Sequence, residues 1–182
     1  MSEPPVVAGV VLAAGAGTRF GMPKVLAAEG DWLKTAVRSL VEGGCAHVVV
    51  VLGAAVVDVP QPAQAVVATD WSDGLSASLR AGVGAAARTG ADLIVFRLVD
   101  TPDIGGDVIA RVAAAAGESG LARATYDGRP GHPVVIARRH WPELLRAVHG
   151  DEGAKPFLRG RTDVVAVECG DLATGADIDV SP

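Results

Sequence analysis

A glycine-rich loop that directly follows an apolar run constrains the fold of this chain more than any other stretch. Residues 6–12 are nearly all apolar, a pattern typical of a strand buried on both faces of a parallel sheet. Residues 12–24 then read L-A-A-G-A-G-T-R-F-G-M-P-K. Such a loop lets backbone N–H groups approach an anion, and Arg19 and Lys24, the only basic residues before Lys34, could share its charge. The stretch predicts a phosphate-binding loop in an α/β fold.

Two better-known glycine loops do not match this stretch. The P-loop requires G-x-x-x-x-G-K-[ST], whereas Lys24 is preceded by Met-Pro and followed by neither Ser nor Thr. The dinucleotide fingerprint G-x-G-x-x-G could begin at Gly15, but Phe20 stands where the third glycine belongs, one place before Gly21. An ordinary surface turn is the alternative, although turn glycines do not by themselves require two neighbouring cations.

Composition indicates one globular domain, residues 1–182. Hydrophobic residues make up 49% of the chain and charged residues 20%, which is typical of a protein with a packed core. The formal charge of −5 argues against nucleic-acid binding, which requires a positive surface. Cys45 and Cys169 form no C-x-x-C pattern, so neither a disulfide framework nor a zinc site follows. The start of the chain lacks a basic signal region and a membrane-length apolar stretch, so we expect a cytoplasmic protein without a membrane partner.

Hydrophobic periodicity predicts alternating strands and helices, followed by a change of pattern after Gly117. Strands are predicted at residues 6–12, 47–52, 65–68 and 92–99, and helices around 32–41, 74–88 and 108–116. Residues 121–126 and 133–138 flank the turn-forming run 127–132, which is typical of a β-hairpin. A helix around 141–148 and a strand at 164–167 follow. Arg97 interrupts the strand at 92–99, and we expect it at a sheet edge or paired with an acid.

Carboxylates follow the predicted sheet at two places. Asp100 comes directly after the strand at 92–99, at the edge where open parallel sheets bind ligands. A carboxylate beside a phosphate loop would repel the phosphates unless a cation stood between them, so Asp100 predicts a magnesium ion, Mg²⁺, unless it merely starts a turn. Asp177 and Asp179 have the i, i+2 spacing that directs both side chains to one face of an extended segment. Either could complete the metal site, and alone both would be ordinary solvated residues.

The loop resembles the signature L-A-A-G-x-[GS]-x-R-[MF]-G-x-P-K of nucleotidyltransferases that act on sugars, isoprenoid precursors and molybdopterin. In that superfamily the loop wraps the triphosphate of the incoming nucleotide, and the Arg and Lys contact its phosphates. The resemblance implies a three-layer, Rossmann-like α/β nucleotidyltransferase (GT-A-like) fold, with a mostly parallel sheet and a C-terminal β-hairpin insertion. It assigns residues 1–117 to the nucleotide and residues 118–182 to the acceptor.

Further segments resemble molybdenum cofactor cytidylyltransferases and molybdopterin-guanine dinucleotide synthase-like proteins. Residues 70–80 are similar to their W-x-x-G-[ML]-x-x-S-L-R segment, and residues 128–133 to their G-x-P-G-H-P acceptor segment. Residues 150–153 are similar to their G-D-x-G, and the closing A-T-G-A-D-I-D to their [ST]-G-x-D-I-D. Proteins described as nicotine blue oxidoreductases share the architecture and commonly read V-D-T-P at the strand end, as residues 99–102 do. Cytidylyltransferases more often read D-Q-P there.

The resemblance implies a role for each matching residue. The catalytic residues would be Arg19, Lys24 and Asp100, and the Mg²⁺ ligands Asp100 with Asp177 or Asp179. The nucleotide-binding residues would be Leu12, Ala13, Ala14, Gly15, Ala16, Gly17, Thr18, Arg19, Lys24, Asp70, Gly74, Ser76 and Ser78. The acceptor would be bound by Arg129, His132 and Asp151, although His132 could equally shape the turn before Pro133.

The charge of the acceptor explains why the reaction needs no Ser-His-Asp or Cys-His catalytic group. An acceptor phosphate is already anionic, so its attack on the α-phosphorus of a nucleoside triphosphate needs charge neutralisation rather than a strong base. The resemblance implies CTP, preferred over GTP, as donor, a pterin-type or other phosphorylated acceptor such as molybdopterin, and a molybdoenzyme or its chaperone as partner. The alternatives are an NAD(P)H-dependent reductase on the same fold and a non-catalytic nucleotide or cofactor carrier. A reductase needs no metal ligands, so Asp100 with Asp177 or Asp179 favours nucleotide transfer.

Overall fold

Seven strands form one sheet in the order β3-β2-β1-β4-β6-β5-β7, in a computed structural model that describes residues 2–179. The strands are β1 Val7–Ala13, β2 His47–Leu52, β3 Gln64–Val67, β4 Leu93–Leu98, β5 Leu121–Tyr126, β6 Arg129–Ala137 and β7 Val165–Glu168. Neighbouring strands are parallel except at β6, which runs antiparallel to both β4 and β5. The expected α/β fold, with a mostly parallel sheet and a C-terminal hairpin, is confirmed. Because β6 pairs with β4, the halves 1–117 and 118–182 share this sheet, and their separate roles stay a prediction.

Helices cover both faces of the sheet and make three layers. The helices are α1 Asp31–Glu42, α2 Leu75–Ala87, α3 Gly106–Ala115, α4 Trp141–Ala147 and α5 Lys155–Leu158. Helices α1 and α3 pack on one face through side chains such as Val37 and Val112. Helices α2, α4 and α5 pack on the other face through side chains such as Val83, Leu144 and Phe157. Within residues 2–179, no helix combines the length and the apolar character that crossing a membrane would require.

Strand β1 shows why its sequence is apolar almost without interruption. Val11 and Ala13 pack into the core beneath α1 and α3, whereas Val10 and Leu12 pack into the core beneath α2. All four side chains are buried. A strand with helices on both faces has no solvent-facing side, so the period-2 alternation of an exposed sheet is lost. The predicted strand at residues 6–12 is shifted by only one residue.

The hairpin turn is shorter than the sequence predicts. Strand β6 starts at Arg129 rather than at residue 133, because the turn consists of Asp127 and Gly128 alone, with φ of 51° and 77°. Two successive positive φ angles are the signature of a two-residue type I′ hairpin turn, for which Asp-Gly is a favoured sequence. Pro130 lies within this longer strand and pairs with Thr125, although proline cannot donate a ladder hydrogen bond. His132 therefore lies within β6 and not in a turn.

The prediction that Arg97 lies at a sheet edge or pairs with an acid is wrong. The residue lies in β4, between β1 and β6, and its side chain is fully buried. Its guanidinium donates to the carbonyl oxygens of Leu98 (3.2 Å), Thr101 (2.7 Å) and Ile104 (3.0 Å), and to the hydroxyl of Ser39 (2.5 Å). Burial lowers the pKa of Arg97 to about 10, so the group stays charged at neutral pH. Arg97 thus holds the loop that follows β4.

Candidate functional site

The loops after β1 and β4 enclose a cavity at the carboxyl edge of the sheet. Strands β1 and β4 are parallel neighbours that pair Leu12 with Leu98, so the loops that leave them emerge side by side. The cavity between them measures about 480 Å³. The predicted site residues in its lining are Leu12, Ala13, Ala14, Gly15, Ala16, Gly17, Thr18, Arg19, Lys24, Gly74, Ser78, Asp100, Asp151 and Asp179. Ligand sites in open parallel sheets occur at this edge.

The glycine loop is closed by its own backbone and anchored by one aromatic side chain. The Gly21 amide donates to the Gly17 carbonyl at 2.8 Å, and Gly17 has a φ of 64°. A Cβ atom at Gly17 would collide with the carbonyl group of Met22, so no other residue fits this turn. Phe20 is buried and packs against Trp32 of α1, with ring centroids 5.3 Å apart. Arg19, next to Phe20, stays exposed on the cavity wall.

Three carboxylates meet beside the loop. Oxygen atoms of Asp100, Asp177 and Asp179 all lie within 4.8 Å of one another. Asp100 is 8% exposed, and its Oδ1 atom is buried without a hydrogen-bond partner among residues 2–179. A buried carboxylate oxygen without a partner is costly, and a cation would satisfy it. Carboxylate oxygens are the ligands that Mg²⁺ and similar hard cations prefer, so these residues fit a divalent metal.

Lys24 is bonded to two of these carboxylates. Its ammonium donates to Asp100 Oδ2 at 2.6 Å and to Asp179 Oδ1 at 2.9 Å. Burial opposes the charge on Lys24, but the bonds and charges of the two aspartates outweigh it and raise its pKa. Burial raises the pKa of Asp100 against the effect of Lys24, whereas the bond from Lys24 lowers the pKa of Asp179. Lys24 therefore belongs to the carboxylate cluster as much as to the glycine loop.

The amino terminus of α2 forms another wall, and Asp151 is bonded to it. The Leu75 amide donates to Asp151 Oδ1 at 3.3 Å, and the Ser76 amide to the Gly150 carbonyl at 3.0 Å. Gly74 has a φ of 107°, and a Cβ atom there would lie 2.5 Å from Asp151 Oδ1. A carboxylate at a helix amino terminus is favoured by the helix dipole. Asp151, expected near the acceptor, thus lies against the glycine-loop cavity.

Several predicted residues lie outside the cavity lining. Asp70 is exposed, Ser76 is buried in α2, and Asp177 is exposed within the carboxylate cluster. Arg129 is exposed beside the hairpin turn.

His132 also lies outside the lining and is half-buried in β6. Its carbonyl oxygen accepts a 2.6 Å hydrogen bond from the Tyr126 hydroxyl. Burial lowers the pKa of His132 to about 4, and the nearby positive charges of Arg123, Arg97 and Lys155 add to the effect. The imidazole is therefore neutral at pH 7.

Sequence reasoning missed several residues around the cavity. Phe20, Val25, Trp71, Ser72, Leu75, Leu98 and Val99 complete its lining. Trp71 opens the turn Trp71–Asp73, and a tryptophan shortly before a glycine was the available signal. Arg97, behind the loop after β4, was signalled by its position as a lone charge in an apolar strand. Asp103 and Thr174, which are bonded to each other, gave no signal because they lie 71 residues apart.

Comparison with known proteins identifies the family. Residues 9–166 match the family described as MobA-like NTP transferase domain, which is most of the chain. The chain belongs to this MobA-like family. Membership confirms the resemblance found in the sequence and supports a nucleotidyltransferase enzyme.

MobA-like relatives match the chain along nearly its whole length. A protein of Paenarthrobacter nicotinovorans named nicotine blue oxidoreductase is 38% identical, in an alignment that covers 96% of this chain and 93% of that protein. The crystal structure of a Mycobacterium tuberculosis Rv0371c homologue from Mycobacterium sp. strain JC1 is 30% identical, with a TM-score of 0.82 over 96% of this chain and 90% of that chain. Rv0371c of M. tuberculosis, solved in complex with manganese, is 26% identical, with a TM-score of 0.69 over 95% and 94% of the two chains.

Proposed function

We propose that this MobA-like protein transfers CMP from CTP to a phosphorylated pterin-type acceptor such as molybdopterin, with release of pyrophosphate. One observation supports the proposal above all others: the glycine loop and the carboxylates of Asp100 and Asp179 line the same cavity. The three clustered carboxylates would repel a triphosphate that the glycine loop attracts, unless a divalent cation lay between them. That combination suits a metal–triphosphate complex.

The residues of the loop would bind and orient the triphosphate. Backbone N–H groups around Gly15 and Gly17 and the guanidinium of Arg19 would stabilise the negative charge of the phosphates. Lys24, between the loop and the carboxylates, adds a positive charge at the point where the leaving pyrophosphate needs it. Mg²⁺ held by Asp100 with Asp177 or Asp179 would supply further neutralisation of charge on the phosphates. No general base is required, because the acceptor phosphate is already ionised.

The acceptor is proposed to lie toward the hairpin half of the sheet. Arg129 and His132 remain the candidate contacts in β6, and His132 would act as a neutral hydrogen-bonding group because of its lowered pKa. The choice of CTP over GTP, the role in molybdenum cofactor biosynthesis, the molybdoenzyme or chaperone partner and the cytoplasmic location are parts of the same proposal. All of them except the location rest on the resemblance of the sequence segments.

A reductase is the second candidate, because one relative carries the name nicotine blue oxidoreductase at 38% identity. The V-D-T-P sequence at residues 99–102 agrees with that alternative. In a reductase the glycine loop would hold the pyrophosphate of NAD(P)H. The carboxylate cluster around Asp100 would then have no role in the reaction, and this favours nucleotide transfer.

A single comparison separates the two activities. The protein is incubated with each of CTP, GTP, ATP and UTP in the presence of Mg²⁺ and molybdopterin, and pyrophosphate release is measured. NADPH oxidation with a quinoid acceptor is followed in parallel, and Asp100→Asn serves as the matched variant for both assays. We expect pyrophosphate with CTP, lost in Asp100→Asn. If no nucleotide yields pyrophosphate and NADPH is oxidised, the protein is a reductase and the proposed nucleotide transfer is wrong.

A further inference from the structure

Two of the three clustered carboxylates lie on a segment without helix or strand. Residues 174–179, here called the tail segment, follow β7 and carry Asp177 and Asp179. A segment of this kind has no ladder of hydrogen bonds to fix it, so other contacts must determine where its carboxylates lie. Lys24 is bonded to Asp179 directly, and the loop of residues 100–103 after β4 provides the contacts to the rest of the segment.

The tail segment is bonded to this loop at two points. The amide and the hydroxyl of Thr174 both donate to Asp103 Oδ2, at 2.7 and 2.6 Å. The Ile178 amide donates to the Asp100 carbonyl at 3.0 Å. Among residues 2–179, both hydrogen bonds made by the Asp103 carboxylate go to Thr174. The two attachments lie on either side of Asp177, so they set its distance from Asp100.

An aromatic ring supports the segment between these points. Gly175 has a φ of 64°, and a Cβ atom there would collide with the ring of Tyr126. The Tyr126 hydroxyl is itself fixed, because it donates to the His132 carbonyl at 2.6 Å. Only glycine lets the backbone cross the ring this closely. The ring and the Asp103–Thr174 pair together leave the tail segment little freedom.

We propose that Asp103 is a positioning residue that, through Thr174, holds Asp177 and Asp179 in place for the metal. The inference rests on the proposed function, since it assumes that these carboxylates bind a divalent cation. Asp103 does not belong to the carboxylate cluster and acts only through the tail segment. Without the pair, ordering of residues 174–177 would have to accompany metal binding and would weaken it. Outer partners of metal ligands typically change metal affinity by roughly 10- to 100-fold when removed.

The test measures Mn²⁺ binding to the nucleotide-free protein, by the loss of the free Mn²⁺ signal in electron paramagnetic resonance. Asp103→Ala removes both hydrogen bonds and one charge. Thr174→Val removes the hydroxyl bond to Asp103 and the bond that this hydroxyl accepts from the Ala176 amide, and it leaves the charge unchanged. Thr174→Ser restores the hydroxyl. Asp171→Ala is the matched control, because Asp171 lies three residues before Thr174 and pairs with Arg111 instead. We expect Asp103→Ala to weaken Mn²⁺ binding by roughly 10- to 100-fold and Thr174→Val to weaken it by less. Thr174→Ser and Asp171→Ala should bind Mn²⁺ as the wild type does.

A second measurement follows the segment itself in the metal-free protein. Amide hydrogen exchange at Ile178 reports the bond to the Asp100 carbonyl, and it should be faster in Asp103→Ala and Thr174→Val. Wild-type Mn²⁺ affinity in both variants would overturn the inference. Weakened binding in Asp103→Ala alone would also overturn it, because the lost charge would then explain the effect. If the wild-type protein binds no Mn²⁺, the proposed metal site fails, and exchange at Ile178 alone then decides whether the pair holds the segment.

Discussion

Lys24 donates a 2.6 Å hydrogen bond to Asp100, a carboxylate 76 residues further along the chain. The lysine follows the glycine loop and the aspartate follows β4, so this contact joins the two loops that enclose the cavity. The lysine ammonium occupies carboxylate oxygens that a divalent metal would also use. The contact therefore predicts competition between the lysine and the metal.

Replacing Lys24 should separate catalysis from metal binding. In Lys24→Ala we expect nucleotide transfer to fall by ~10²-fold, the usual effect of losing one transition-state donor. We also expect the nucleotide-free protein to bind Mn²⁺ roughly fivefold more tightly. The metal then no longer has to displace the Lys24 ammonium, whose interaction with the carboxylates stabilises the metal-free state by about 1 kcal/mol. Steady-state kinetics and Mn²⁺ titration check the two effects. Lys34→Ala, at an exposed lysine paired with Asp31, should change neither. Weaker Mn²⁺ binding in Lys24→Ala would contradict the competition.

Arg97 should be required for stability although it lies outside the cavity. Arg97→Met removes the guanidinium that donates to the carbonyl oxygens of Thr101 and Ile104, and we expect a loss of about 3 kcal/mol in the free energy of unfolding. Urea denaturation measures it. The matched variant is Arg38→Met, at an exposed arginine of α1, which should stay within about 0.5 kcal/mol of the wild type. Equal stability of the two variants would refute the role given to Arg97.

Replacement of two glycines in the α2 region by alanine should change the stability of the protein in opposite directions. Gly74→Ala places a Cβ atom 2.5 Å from Asp151 at a φ of 107°, and should destabilise the fold by about 2 kcal/mol. Gly84→Ala, in the middle of α2 with open space around it, should stabilise the helix by up to about 1 kcal/mol. Thermal unfolding of both variants tests the pair. A stabilising Gly74→Ala would mean that Asp151 moves away without loss.

His132 should make stability depend on pH in mildly acidic solution. Its pKa is about 4 in the folded protein and about 6.5 in an unfolded chain. Between these values the unfolded state binds more protons, so stability falls as pH decreases from about 6.5 toward 4. His132→Asn should flatten this decline. Denaturant unfolding at pH 7, 6 and 5 gives the slope of the free energy of unfolding against pH for the wild type and for His132→Asn. Equal slopes in the two proteins would show that His132 is not buried in its neutral form.

Local patterns predicted the sheet because its central strands are buried on both faces. The apolar runs of β1 and β2 leave no doubt about strand position, and both predictions were correct to within one residue. The sequence predicts the start of β6 four residues too late, because residues 127–132 are a run of turn-forming residues. The Asp-Gly pair is a favoured sequence for a two-residue turn, but the glycine and prolines that follow it are equally typical of a longer turn, so the sequence did not define where the turn ends.

Contacts between distant residues could not be predicted in this way. The glycine loop indicated where a phosphate would bind, but not that Lys24 bonds to Asp100 and Asp179. A lone charge in an apolar strand was read as an edge residue, whereas Arg97 is buried because neighbouring carbonyl groups accept its hydrogen bonds. Asp151 was assigned by segment resemblance, which carries no information about the helix it caps.

The tail segment has a consequence for how activity can be lost. It contributes two carboxylates to the cluster but no strand or helix to the fold, and Asp177 and Asp179 are exposed. A protease that trimmed the chain after residue 173 would remove both carboxylates and leave all seven strands in place. If the proposed function holds, such a truncated molecule would keep its fold and lose its activity, so protein abundance and enzyme activity would not vary together in a cell.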